Sequence, residues 1–97
     1  MNKGYWVIAW KSVSDPSAVE RYLAPATAAI VAHGGRVFAA GEPARTYEQG
    51  LPSRLVMVEF DTLQSAISAY ESPDYQASLS HLLGAAERDV RIIEGIE

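Results

Sequence analysis

The sequence contains no cysteine. That excludes disulfides, thiol nucleophiles and cysteine-ligated metal sites. It has two histidines, His33 and His81, with no carboxylates at the spacing a metal-ligand set needs. It has no glycine-rich phosphate loop and no Gly-x-Ser-x-Gly nucleophile elbow. On these grounds the chain is expected to carry no metal, haem or nucleotide cofactor. Basic residues are outnumbered, 8 Lys and Arg against 12 Asp and Glu, for a net charge of −4, and the two signs are interspersed. A nucleic-acid surface wants a basic stripe, so nucleic acid is not an expected partner. Long apolar runs are missing too. The longest, Tyr5 to Trp10, falls far short of the roughly 20 residues of a membrane span. It is also shorter than a signal-peptide core of roughly 7–15 residues. No membrane partner is expected, and a cytoplasmic location is.

What is present is a large supply of core-forming side chains. Of 97 residues, 48% are hydrophobic, enough for a core without covalent staples. The length predicts one domain over residues 1–97, of a size that buries roughly 60–70% of its unfolded surface. The most informative stretch is Arg54 to Phe60, Arg-Leu-Val-Met-Val-Glu-Phe. It is rich in β-branched and apolar residues and free of Gly and Pro, as a strand buried on both faces should be. Such a strand sits near the middle of a sheet, with a layer needed on each side.

Gly4 to Lys11 predicts the first strand, with Trp6, Ile8 and Trp10 on one face and Tyr5, Val7 and Ala9 on the other. Two uses fit the tryptophans, stacking on a ligand or filling a core or interface, and the second is preferred. Asp15 is a good N-cap, with Pro16 at the first helical position. The helix they open carries Val19, Tyr22, Leu23, Ala26, Ile30 and His33 along one stripe. Pro25 lies inside it and predicts a kink or two abutting helices. Gly34-Gly35 ends it, and His33 suits a helix C-terminus better than acid–base work. Arg36 to Gly41 is the second strand, and Glu42 to Ser53 a long excursion holding the extended piece Arg45-Thr46-Tyr47-Glu48. After the central strand, Asp61 and Gln64 have capping-box spacing, and Leu63, Ala66, Ile67 and Tyr70 form the helix's apolar face. Glu71-Ser72-Pro73 breaks it and caps a further helix carrying Leu79, Leu82 and Leu83. Asp89 to Glu94 is the last strand.

The order strand–helix–strand–strand–helix–strand is the split arrangement of the ferredoxin-like α+β fold, a four-stranded antiparallel sheet with both helices on one face. No residues remain to cover the other face, yet both faces of the central strands are apolar. A second copy of the chain is the expected cover, so the predicted assembly is a homodimer.

A series of short stretches carries a family resemblance. They are Lys3-Gly4-Tyr5-Trp6, Asp15-Pro16, Gly34-Gly35-Arg36, Arg54 with Glu59-Phe60, Ser72-Pro73-Asp74-Tyr75-Gln76, Gly84-Ala85-Ala86 and Ile93-Glu94-Gly95. Their order resembles that of a bacterial family of domains of unknown function, number 1330. The resemblance implies a branch of the dimeric α/β-barrel superfamily, in which two ferredoxin-like sheets pack face to face. That superfamily includes cofactor-free monooxygenases, isomerases and haem-handling enzymes, so the resemblance fixes no chemistry. Many members of the family carry Arg two residues before the Gly-Ala-Ala, where this chain has Leu82. Relatives that oxygenate phenols or handle haem tend to need an Asn near the sheet, and the one Asn here is Asn2.

Two functions remain in play. One is binding or transformation of a small organic molecule, without metal, in a pocket between sheet and helices. The other is a non-catalytic dimeric binding or accessory module. Pocket candidates are Trp6, Arg36, Glu59, Tyr70, Tyr75 and His81: aromatic walls with a few polar groups, the usual make-up of a ligand site. The competing account has Tyr70 and Tyr75 pin the helix break while Arg36 and Glu59 pair with each other or with a partner chain.

Overall fold

The first strand decides the architecture. In the computed structural model, which describes residues 2–96, β1 (Gly4–Val13) alternates strictly over its first half. Trp6 and Ile8 are 0% and 3% exposed on one face, while Tyr5, Val7 and Ala9 are half-buried on the other. Three more strands, β2 (Arg36–Gly41), β3 (Leu55–Phe60) and β4 (Ala86–Glu94), complete a sheet of order β2-β3-β1-β4. Every neighbouring pair is antiparallel. The register puts Trp6 opposite Val58 and Ile92, and Ile8 opposite Val56 and Val90. That makes one continuous apolar face, and the helices pack on it.

The helix layer is α1 (Pro16–Ala32), α2 (Leu63–Glu71) and α3 (Pro73–Leu79), followed by a 3-10 turn over Ser80–Leu82. α1 buries Ala18, Tyr22, Ala26, Ala29 and Ile30, one stripe at helical spacing. α2 buries Ala66 and Ala69. These meet Trp6, Ile8, Val58, Phe60, Tyr75 and Leu82 in one core. The molecule is 16 Å thick along its shortest axis, which leaves room for two layers and no third. The other face of the sheet is therefore uncovered. There β3's Leu55, Met57 and Glu59 are only half-buried, where the sequence predicts burial on both faces.

Five local expectations differ from the structure. α1 runs unbroken through Pro25. Pro25 lies on the exposed face, so the carbonyl its missing N–H leaves unpaired meets water. The cap of α2 is Thr62, not Asp61: its Oγ1 accepts from the Ser65 N–H at 3.0 Å. Both residue types cap well. The strand start at Gly4 packs directly on Thr62 and Leu63, and that tertiary contact selects the residue. Leu83 is 89% exposed because the chain leaves helical geometry in the 3-10 turn and is extended at Leu83. Finally, β1 continues to Val13 and β4 begins at Ala86, not at Asp89. The two lengthen each other across a bulge between Trp10 and Ser12. The predicted extended piece at 45–48 is instead irregular chain entering a turn, closed by the Gly50 N–H on the Tyr47 carbonyl at 2.9 Å.

Ser72 fixes the helix break. Its Oγ donates to the Ala69 carbonyl at 2.7 Å and accepts from the Tyr75 N–H at 3.3 Å, ending α2 and starting α3 with one side chain.

Gly4 gives a direct test of this packing. A Cβ there would lie 2.6 Å from the Thr62 carbonyl oxygen and 2.7 Å from the Leu63 Cα, both backbone atoms that cannot swing aside. Gly4→Ala is expected to destabilise by about 1–3 kcal/mol, the usual overpacking range. Thermal unfolding should show it as a melting temperature lower by several degrees.

Candidate functional site

The β2 edge of the sheet is partly bare, with Val37 42% exposed. Between α1 and the sheet lies a cleft of about 270 Å³. Leu23, Ala26 and Ile30 of α1 form one wall, and Ile8, Val56 and Val58 the opposite one. These are the same apolar stripes that build the core, continued past the point where helix and sheet touch. Its polar groups are few and of one sign. Arg54 and Arg88 line it, together with Tyr22, Thr27 and Trp10, and no acidic residue does. In a chain of net charge −4 that is a local inversion.

Arg88 is placed by β4. It lies opposite Trp10 in the register and shares the helix-facing side of the strand with Val90 and Ile92. Its guanidinium sits 4.9 Å from the Trp10 ring centroid and 5.2 Å from that of Tyr22, within cation–π range. It donates to the Tyr22 hydroxyl at 3.2 Å and to the Tyr75 hydroxyl at 3.4 Å. The two hydroxyls are 2.6 Å apart. Burial, and then the neighbouring Tyr22, push the Tyr75 phenol well above the ordinary tyrosine range, so it stays protonated at neutral pH. Among the described residues no carboxylate lies within ion-pair distance of Arg88.

The sequence-predicted residues fall into separate places. Trp6, Tyr70 and Tyr75 come together, with ring centroids 4.8 to 5.6 Å apart. Trp6 and Tyr75 are fully enclosed, and the Trp6 Nε1–H donates to the Ala66 carbonyl at 2.8 Å. None of these rings lines the cleft; Tyr70 lines a separate hollow with Leu79, Leu82, Arg88 and Val90. Arg36 and Glu59 also meet, at 3.2 Å, but on the open face of the sheet, beside Lys3 at 3.2 Å from the same carboxylate oxygen. The Lys3 hydrogen bond holds the Glu59 carboxyl below its usual range against the desolvation there, with a further hydrogen bond from Arg36. His81 is exposed in the 3-10 turn, with no hydrogen-bond or ion-pair partner among the described residues.

Sequence reasoning passed over Arg88, Tyr22 and Arg54. Arg88 precedes the strand start predicted at Asp89, so the sequence pattern gives it no face. Extending that strand back by alternation would have put it with Val90 and Ile92. Tyr22 belongs by its spacing to the α1 apolar stripe, and its ring is buried there. Its hydroxyl is the part that matters here.

Strand order, antiparallel pairing and a single helix layer define a ferredoxin-like α+β protein. The family described as Domain of unknown function (DUF1330) matches residues 3–96, and the chain belongs to that family. Solved structures similar in fold include a protein of unknown function from Rhodopseudomonas palustris, 12% identical, TM-score 0.70, covering 99% of this chain and 84% of that one. A dimeric ferredoxin-like protein of unknown function from Thermobifida fusca is 15% identical, TM-score 0.64, covering 97% and 92%. SnoaB, a cofactor-independent oxygenase from Streptomyces nogalater, is 11% identical, TM-score 0.61, covering 100% and 96%. No curated protein matches the sequence. No helix among the described residues is long and apolar enough to cross a membrane.

The Glu59 cluster yields a pH prediction. A carboxylate with a depressed folded-state pKa stabilises the fold above its ordinary range, and that contribution is lost as pH falls through the depressed value. Glu59→Gln should therefore be slightly less stable than wild type at pH 7. The gap should narrow in urea unfolding as pH is lowered from the ordinary carboxylate range through the depressed value. A gap that widens on acidification would contradict the sign.

Proposed function

We propose that this protein is a homodimer that binds a small, largely apolar organic molecule in the cleft between α1 and the sheet. The observation that carries the reading is the cleft itself: about 270 Å³, apolar walls, two guanidinium groups and no acidic lining residue. Ligand sites are commonly apolar concavities with a few placed polar groups. The fold likeness to a cofactor-independent oxygenase is consistent with an organic occupant. Binding is favoured over acid–base catalysis by the lining. It holds no His, Asp or Glu, and the Tyr75 phenol behind it is too weak an acid to serve as a base near neutrality. Of the pocket candidates, Trp6 and Tyr75 are core residues, Tyr75 joined by its hydroxyl to Tyr22 of the cleft lining, while Tyr70 lines a separate hollow. Arg36 and Glu59 lie on the open face with the proposed dimer contact, and His81 has no role in this reading.

The dimer rests on the uncovered face. Tyr5, Val7, Leu55, Met57, Phe38 and Ile93 lie there, with Phe38 and Ile93 40% and 59% exposed. Apolar patches of that kind mark interaction surfaces. A neighbour of the same fold is described as dimeric. The interface is expected to exceed about 1,000 Å² in total, the scale of a specific contact.

A thermal-shift screen of small organic molecules tests the cleft. A binder at about a hundredfold excess over its Kd should stabilise the wild type by about 2.7 kcal/mol and raise the melting temperature accordingly. Ala40 lines the cleft from the exposed edge strand, so Ala40→Phe should fill it with little effect on the core. The same compounds should then leave the variant's melting temperature unchanged. A screen without a single shift, or equal shifts in the variant, would count against the proposal.

A further inference from the structure

The cleft of the proposed function has a polar end whose hydrogen bonds do not close. Tyr22, Tyr75 and Arg88 supply more donors than the cluster has acceptors. The guanidinium carries five N–H groups. Two go to the tyrosine oxygens, and neither is a charged acceptor. The hydroxyls bring two hydrogens, and only one can lie between oxygens 2.6 Å apart. The other must go elsewhere.

Burial decides which one. Tyr75 is 0% exposed and lies outside the cleft lining, while Tyr22 lines the cleft. If Tyr22 donated to Tyr75, the Tyr75 hydrogen would be enclosed with no acceptor, at the full desolvation penalty. Tyr75 is therefore the donor, and the Tyr22 O–H is left for the cleft. Tyr22 is itself 4% exposed. The cluster thus offers the cleft a half-buried cation without a counter-ion among the described residues, beside a free hydroxyl hydrogen. Arg54 adds a second positive charge at the exposed rim.

We infer that the cleft's ligand is a monoanion, an arylcarboxylate, with its carboxylate on Arg88 and the Tyr22 hydroxyl and its ring between α1 and the sheet. The inference rests on the cleft being a binding site. Charge points to it, because one desolvated guanidinium matches one negative charge, and a carboxylate has the planar acceptor pair that a guanidinium fits. Size points the same way. About 270 Å³ is the liquid volume of roughly nine waters, the scale of one aromatic ring with a short acid. The walls supply the rest: Leu23, Ile30, Val37 and Val56 meet the ring faces and edge, and Trp10 stands beside the guanidinium.

Isothermal titration calorimetry with benzoate and trans-cinnamate, each against its neutral amide, tests this. The wild type should bind the acids roughly tenfold or more tighter than the amides, the scale of a charge-assisted hydrogen bond. Tyr22→Phe keeps the ring and its packing and should shrink that preference several-fold. Arg88→Met should abolish it while leaving amide binding in place, and if Arg88→Met does not fold, Tyr22→Phe still carries the test. Acids and amides binding equally well would overturn the anion assignment and leave the cleft as a binding site. A preference that survives Tyr22→Phe and Arg88→Met alike would overturn it too. If neither class binds but neutral compounds shift the melting temperature in an Ala40-dependent way, the ligand class is wrong and the cleft stands. If nothing binds, both fall.

Discussion

A sheet with two apolar faces and only one layer of helices is the constraint from which the rest follows. The alternation of β1 puts Trp6 and Ile8 under the helices and Tyr5, Val7 and Ala9 on the opposite side. The register then copies that division onto β3 and β4. The helix face uses its apolar surface twice. Where α1, α2 and α3 press on it, it makes a core around Trp6. Where α1 leaves it, beyond Ile8 towards the β2 edge, it makes a cleft. Among the described residues, the open face carries the Lys3–Glu59–Arg36 cluster, the Asp89–Arg91 pair and Glu87 with Ser12 amid its apolar side chains. In the proposed dimer, a second sheet takes the place of the missing layer.

The core and the cleft share one device. Tyr75 is enclosed against Trp6, Tyr70 and Tyr22, and its hydroxyl is the inner partner of a chain that reaches the cleft through Tyr22 and Arg88. Ser72 holds Tyr75 in place by capping α3 on the Tyr75 N–H. The break between α2 and α3 thus positions the polar end of the cleft as well as shaping the helix layer. At the far side, the His33 Nε2 meets Asp74 at 3.1 Å, tying the end of α1 to the first turn of α3. The two helices that carry Tyr22 and Tyr75 are thereby fixed at both levels.

Strand order and helix faces were legible because period-2 and period-3.6 patterns are local. Trp6 and Ile8, Tyr22 and Ala26, and Val56 and Val58 announce their faces without help from the rest of the chain. What was not legible depended on contacts between distant segments. The mutual lengthening of β1 and β4 past the bulge at Lys11 is set by pairing, and Arg88 became assignable to a face only with it. Thr62 rather than Asp61 caps α2 because Gly4 packs there. Leu83 is turned out by a 3-10 turn that its own side chain does not signal. The candidate site is the least legible part: Arg36 and Glu59 face each other on paired strands, yet their face is the one opposite the cleft. A residue's partner can be read from register. Which layer it faces requires knowing where the helices go.

The claim on which the two-faced account turns is that the open sheet face is an interface between two copies. Sedimentation equilibrium at micromolar concentration, on the wild type and on Met57→Glu, addresses it most directly. Met57 sits near the centre of that face, opposite Val7, where a carboxylate would be desolvated in a dimer and harmless in a monomer. The account predicts two chain masses for the wild type and one for the variant, with the variant still folded. A wild type sedimenting at one chain mass would contradict it.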